Sequence, residues 1–451
     1  MIKRVTMLVV LALLNAVAYH LAYIQFLHRV FAYADFRYEP TTAAYLLWTY
    51  LVAILPVVVA RKSNSPSAVG AALLYLMSYV PIQMTLTFMW AEKTLELVLL
   101  QSVMAVSMIS LFRAPTSYRH AFVKKATDYS AVFRVGPLTS IIYLLTGISL
   151  LLVVTQYHSV MRLTSFEDVY DLRSEASEID VSIVTHYLTM WISYAIGPFF
   201  IARAIFFSRK ADWIIGISSL LVLYFAFGSK IALLTPLLML AMRYIDNGSN
   251  EFLLRLLSIA GIFLIFIVFA VPDEGVLRYI NSLFLLRVFG SNGWTGAVYY
   301  EYFTSHALTF YSHIGPINAI FDAYPYGNNS LGQVIAQHYF SNEANFNAGF
   351  WASDGFAALG IAGVPIATLF LAVFMRVLDR LAISYPTRFI NLWLFAFWMG
   401  LMNAPFTTAL LSGGGLLILL LMWMGRLQQK RSSTGPTRHF VNKKHQSPEL
   451  G

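Results

Sequence analysis

Apolar residues fill twelve stretches of this chain, and polar residues collect in the gaps between them. The runs cover 5–27, 41–60, 67–86, 97–112, 136–157, 182–206, 212–228, 231–245, 252–272, 352–376, 388–403 and 407–425. A membrane helix needs about 20 apolar residues. In lipid only a segment that satisfies its own backbone can cross as a single run. The pattern therefore predicts an all-α polytopic membrane protein of twelve transmembrane helices. The runs 212–228 and 231–245 are short and meet at the tight turn Gly228-Ser229-Lys230.

Two gaps are more than connectors. Residues 158–181, YHSVMRLTSFEDVYDLRSEASEID, are acidic and carry a helical pattern. Residues 273–351 form a gap of 79 residues, and loops of that length are functional or disordered. This one is rich in aromatics, which disordered chains lack, and short helical patterns run through it. The predicted organisation is thus 1–272 as helices 1–9, 273–351 as a large loop, 352–425 as helices 10–12, and 426–451 as a basic tail.

Composition agrees. The chain of 451 residues is 58% hydrophobic and 12% charged, with mean hydropathy +0.65, where soluble domains are about 25% charged. Its first segment has basic residues and then an apolar run, like a signal sequence. The run is longer than a signal peptide's apolar region, so it is read as a span. There is no cysteine, which excludes disulfides, thiolate metal sites and cysteine nucleophiles.

Charge orients the helices. Twelve spans put 23 of the 31 basic residues on the side of the termini, and 16 of the 22 acids on the other. Lys and Arg favour the cytoplasmic side. Both termini are therefore expected in the cytoplasm, with the acidic segment and the large loop outside. Anionic lipid at the inner face accounts for the net charge of +9, so no nucleic-acid partner is called for.

The outer face carries the candidate chemistry. Lys230 in FGSK, Arg287 in LLRVFGSNGW and Arg278 in EGVLRYI are cations in apolar surroundings. Such groups either snorkel to headgroups or meet an anion such as pyrophosphate, which the Arg fork suits. Glu301 in YYEYF sits among aromatics, where desolvation would raise its pKa toward that of a general base; a salt bridge to a neighbouring Arg is the alternative. Glu343 and Asp354 lie within the stretch SNEANFNAGFWASDGFAALGIAGV, residues 341–364. Asp354 follows Ser353 at the start of a span, as a helix cap does. His306, His313 and His338 are further bases or structural imidazoles. Asn345, Asn347, Tyr299, Tyr300 and Trp351 suit sugars, since amides bond hydroxyls and rings stack on pyranose faces. No metal-ligand spacing and no nucleotide-binding loop is present, so neither metal nor cofactor is expected.

Three stretches resemble a known family, the bacterial O-antigen polymerases of the Wzy type. FGSK, 227–230, is similar to the family's Gly-Ser/Thr-Arg turn, with Lys230 standing where Arg is expected. RVFGSNGWTGAVYYEYFTSH, 287–306, is similar to its Arg–Gly–aromatic pattern. GNNSLGQVIAQHYFSNEANFNAGFWASDGFAALGIAGV, 327–364, resembles the end of its large periplasmic loop, with a G-x-x-G turn. The match covers roughly 220–380. The resemblance implies a fold like the GT-C membrane glycosyltransferases in the bacterial inner membrane. It implies polymerisation of undecaprenyl-pyrophosphate-linked oligosaccharide units at the periplasmic face, with membrane lipid and a chain-length regulator as partners. In that reading Arg287, Arg278 and Lys230 bind pyrophosphate, and Glu301, Glu343, Asp354 or His338 is the base. An O-antigen ligase would use the same donor. A flippase or transporter fits twelve spans, although such proteins often show internal repeats and none is visible here. A structural scaffold for polysaccharide assembly also fits.

Overall fold

The computed structural model describes residues 2–90, 92, 94–115, 137–164, 169–271, 275–340, 346 and 349–434. Among the described residues the regular structure is entirely helical. Nine helices there are long and apolar enough to cross a membrane: Ile2–Val30, Pro66–Met89, Leu95–Arg113, Leu138–Tyr157, Ile183–Phe207, Lys210–Phe227, Phe252–Ala270, Gly360–Ala382 and Phe406–Gln428.

The remaining three expected spans are shorter helices. Ala43–Val58 and Lys230–Ile245 have 16 residues each, and Thr387–Leu401 has 15. At 1.5 Å per residue they are about 22–24 Å long, short of the hydrocarbon thickness of about 30 Å. Among the described residues, nine of the twelve expected spans thus reach full length as single helices, and three fall short of it. Thr387–Leu401 compensates by packing in the centre, buried from Phe389 to Leu401.

Local chemistry sets many helix starts. Thr42 accepts the Tyr45 N–H, Ser65 the Ala68 N–H, Ser182 the Thr185 N–H and Ser229 the Ala232 N–H, each a side-chain cap. Pro66 stands at the first turn after Ser65. Inside the bundle, polar side chains bond between helices. Tyr19 and Thr85 are 2.9 Å apart, Gln101 donates to Thr87 at 3.0 Å, and Asn15 donates to the Leu257 carbonyl at 2.8 Å. Such bonds hold membrane helices together where apolar burial gives little drive.

The two ends of the bundle differ. At one, Glu251 pairs with Arg4 at 2.7 Å and Lys62 at 2.6 Å, Asn391 donates to Asp246 at 2.7 Å, and the Ser67 N–H donates to Asp379 at 3.1 Å. These groups come from segments that the charge bias puts on the side of the termini. At the other end Arg37 meets Glu301, and Arg162 meets Glu175 at 2.5 Å. These come from segments that it puts outside. The acidic segment forms the helix Val169–Ser177, and Arg173 donates to the Gly228 carbonyl at 3.0 Å.

The large loop does not stay outside the bundle. Gly275–Asn281, Ser282–Gly290 and Ser291–Ser305 follow one another without a break, the middle piece π-helical. Ser291–Ser305 packs along Val80–Met89. A Cβ at Gly293 would meet Thr85, the Tyr19 hydroxyl and the Pro81 carbonyl within 2.8 Å, so only glycine allows this approach. Asn292 donates to the Met77 carbonyl at 2.9 Å.

Candidate functional site

Two interrupted helices meet at the Glu301 end. The first turns π-helical over Ala352–Ala357 and then breaks, with Leu359 at φ −144° and Gly360 at φ +59°. The break frees the carbonyls of Ala357 and Ala358. They accept the N–H groups of Thr309 at 2.8 Å and Phe310 at 2.9 Å. Gly363 lies so close to the Gly355 carbonyl that no side chain fits there. The span therefore starts at Gly360 and not at 352. The second interruption follows Leu401: the short helix Phe406–Leu410, then a turn into Gly415–Thr434. Irregular backbone at membrane depth is tolerated where it is buried in protein or lines a cavity.

A cavity of about 650 Å³ opens beside these breaks. Asn403, Pro405 and Thr408 form one wall, Asn318, Asn328, Asn329 and Gln333 another, and His186, Tyr194, His313 and Tyr324 complete it. Among the described residues, no Asp, Glu, Lys or Arg lines it. Its size falls within the range of about 300–1,000 Å³ usual for ligand sites.

Asp354 is buried next to this wall. Its Oδ2 accepts the Phe406 N–H at 2.6 Å. It is a cap, as its position suggested, but for the helix Phe406–Leu410 and not for its own. His313 Nδ1 lies 2.8 Å from Thr309 Oγ1, whose own proton goes to the Ala357 carbonyl at 3.0 Å. Nδ1 must therefore donate, which leaves Nε2 unprotonated. Burial pushes this imidazole down to about 4, so it is neutral. Phe310 and Tyr311 just before it adopt positive φ, 48° and 64°, a strained conformation that clusters at functional sites.

Glu301 belongs to a separate cluster. Arg37 donates to its Oε2 at 2.7 Å, Tyr339 to the same oxygen at 2.6 Å, and Trp90 Nε1 to Oε1 at 3.0 Å. The Arg37 guanidinium lies 5.2 Å from the Trp90 ring centre. Burial alone would raise the carboxyl, but the bonds from Tyr339, Arg37 and Trp90 outweigh it and hold it below its ordinary value. The expected rise toward a general base is thus corrected; the salt-bridge alternative is what the geometry gives.

Other expected site residues divide four ways. Tyr299, Tyr300 and Trp351 are buried, because the helix that carries the first two runs inside the bundle. Tyr299 donates to the Phe346 carbonyl, Tyr300 to Glu96, and Trp351 to Thr368 at 3.0 Å. They build the core and not a sugar face. Arg278 and Arg287 are exposed on the long helix, Lys230 starts the helix after Ser229, and none of the three lines the cavity. His338 is exposed, its ring edge-on to Tyr302 at 5.0 Å and near His306 at 5.4 Å. Glu343, Asn345 and Asn347 lie outside the described residues.

The cavity wall was missed in the sequence. Its signals were the amide run GNNSLGQ and the polar, Pro- and Gly-containing stretch NAPFTT…SGGG that interrupts two apolar runs. Gly/Pro-interrupted hydrophobic segments point to binding sites in membrane proteins.

No protein-family model, no curated protein and no solved structure matches the chain. Its own helices define the class: a multi-pass helical membrane protein.

Proposed function

We propose that the chain is a membrane glycosyltransferase that polymerises undecaprenyl-pyrophosphate-linked oligosaccharide units at the periplasmic face of the inner membrane. The single observation that carries this reading is the cavity. Amides, hydroxyls and rings without any charge match the hydroxyls and apolar faces of sugars, and the cavity opens at the end that the charge bias places outside.

In this reading a hydroxyl of the incoming unit attacks the anomeric carbon of the growing chain. The bond to pyrophosphate breaks, and the lipid pyrophosphate leaves with the electron pair. Arg287, Arg278 and Lys230 are the cations for that charge. The hydroxyl proton needs a base. Glu301 is committed to Arg37, Trp90 and Tyr339, which leaves Asp354, Glu343 and His338 as the candidates for that base.

Deleting the gene tests this. Surface lipid A–core capped with a single repeat unit supports a polymerase. Bare core with lipid-linked polymer indicates a ligase, and single lipid-linked units held at the inner face indicate a flippase. An unchanged polysaccharide profile rejects all three.

A further inference from the structure

A second recess, which shares no lining residue with the first, lies on the lipid-facing side of the bundle. Helices Thr94–Arg113 and Gly363–Ala382 pack side by side. Between them runs a groove of about 240 Å³, walled by Val106, Ser107 and Ser110 on one side and Thr368, Ala372 and Arg376 on the other. The rim residues Val106, Leu369 and Val373 are 63%, 63% and 51% exposed, so the groove faces the bilayer.

Three features set it apart from ordinary lipid-facing surface. It is recessed, because small side chains line its floor. Ser107 is 2% exposed, and its hydroxyl has no hydrogen-bond partner among the described residues. Helical serines usually bond back to a carbonyl one turn earlier, as Ser110 does to Val106 at 2.9 Å. Finally, one end carries two exposed cations, Arg376 in the wall and Arg113, one turn beyond Ser110. That end is the one where Ser67 meets Asp379, three residues past Arg376.

We infer that this groove is a binding site for one anionic phospholipid, its phosphate held by Arg113 and Arg376 and an acyl chain laid between the two helices. The spacing fits. Ser107 lies six residues before Arg113, about 9 Å along a helix. The Ser107 hydroxyl lines the groove as a donor for a lipid oxygen, and acyl methylenes meet Val106, Leu369 and Val373. Arg suits a phosphate by its fork. This site does not depend on the proposed glycosyl transfer.

The test uses the full chain in nanodiscs of phosphatidylcholine with a minor fraction of phosphatidylglycerol of the same acyl chains, and native mass spectrometry to count retained lipids. The wild type should keep one phosphatidylglycerol in preference to phosphatidylcholine. The double variant R113Q/R376Q should lose that preference, by about fivefold for each cation removed. Ala372→Phe, which fills the groove and leaves both cations, should lose it as well. A photoactivatable phosphatidylglycerol should cross-link in the wild type to peptides from 95–113 and 363–382. No preference in the wild type, a preference that survives both variants, or cross-links confined to other helices would overturn the site. The cross-link map needs no variant, so a variant that does not fold leaves the question decided.

Discussion

The Asp354 carboxylate holds the backbone N–H of Phe406 at 2.6 Å, across 52 residues of chain. One buried acid thus ties the π-helical doorway of one interrupted helix to the start of another, beside wall residue Pro405 of the cavity. Asp354→Ala leaves that amide without a partner and should cost about 1–3 kcal/mol. Asp354→Asn keeps an acceptor and should recover much of the stability. Thermal unfolding in detergent reads both. If Asp354 is also the base, Asn should restore the melting temperature and not the activity.

Glu301 should behave as an anchor of the fold. Glu301→Gln and Arg37→Ala each break a bond between chain segments 264 residues apart, and each should destabilise by about 1–3 kcal/mol. A double-mutant cycle should show the two losses to be coupled. Because the folded carboxyl is held below its ordinary value, its contribution is full above the ordinary carboxylate range and is lost as pH falls through the lowered value. Independent, additive losses would contradict the pairing.

His313 should give a second, higher window of acid sensitivity. Its folded value of about 4 lies below the ordinary 6.5. The unfolded chain therefore takes up the proton first, and stability should fall as pH drops from about 6.5 toward 4. His313→Leu should flatten melting temperature against pH across that interval. An unchanged slope would show that the imidazole is not buried neutral.

The helix break should discriminate between two glycines. Gly363→Ala places a methyl on the Gly355 carbonyl and should cost about 1–3 kcal/mol by overpacking. Gly360→Ala meets nothing within 4 Å, and only its φ of +59° opposes it, a cost of about 1–2 kcal/mol. Gly363→Ala should also shrink the cavity's function, since the doorway must shift. Equal stability of Gly363→Ala and wild type would mean that the two half-helices do not meet as described.

Much of the helical layout was legible, and the reason is physical. Lipid demands long apolar runs, so runs such as 136–157 and 252–272 reappear closely as Leu138–Tyr157 and Phe252–Ala270. Length failed where burial substitutes for lipid contact, as at Thr387–Leu401. The helix Ser291–Ser305 was misplaced because its glycines and aromatics, which let it enter the bundle, look in sequence like loop composition. The fate of Glu301 was open because Arg37 and Trp90 are more than 200 residues away. The cavity was invisible as a unit because its walls come from around 186–194, 312–333 and 400–413, each unremarkable alone.

The central claim concerns the uncharged cavity, and one measurement addresses it most directly. The purified chain is placed in liposomes with lipid-pyrophosphate-linked repeat units from its own host, and products are sized on a gel. The wild type should produce a ladder of two and more units. Thr408→Trp, which fills the cavity from its exposed wall, should leave single units while melting like the wild type. A ladder from the filled variant, or none from the wild type with intact donor, would contradict the claim.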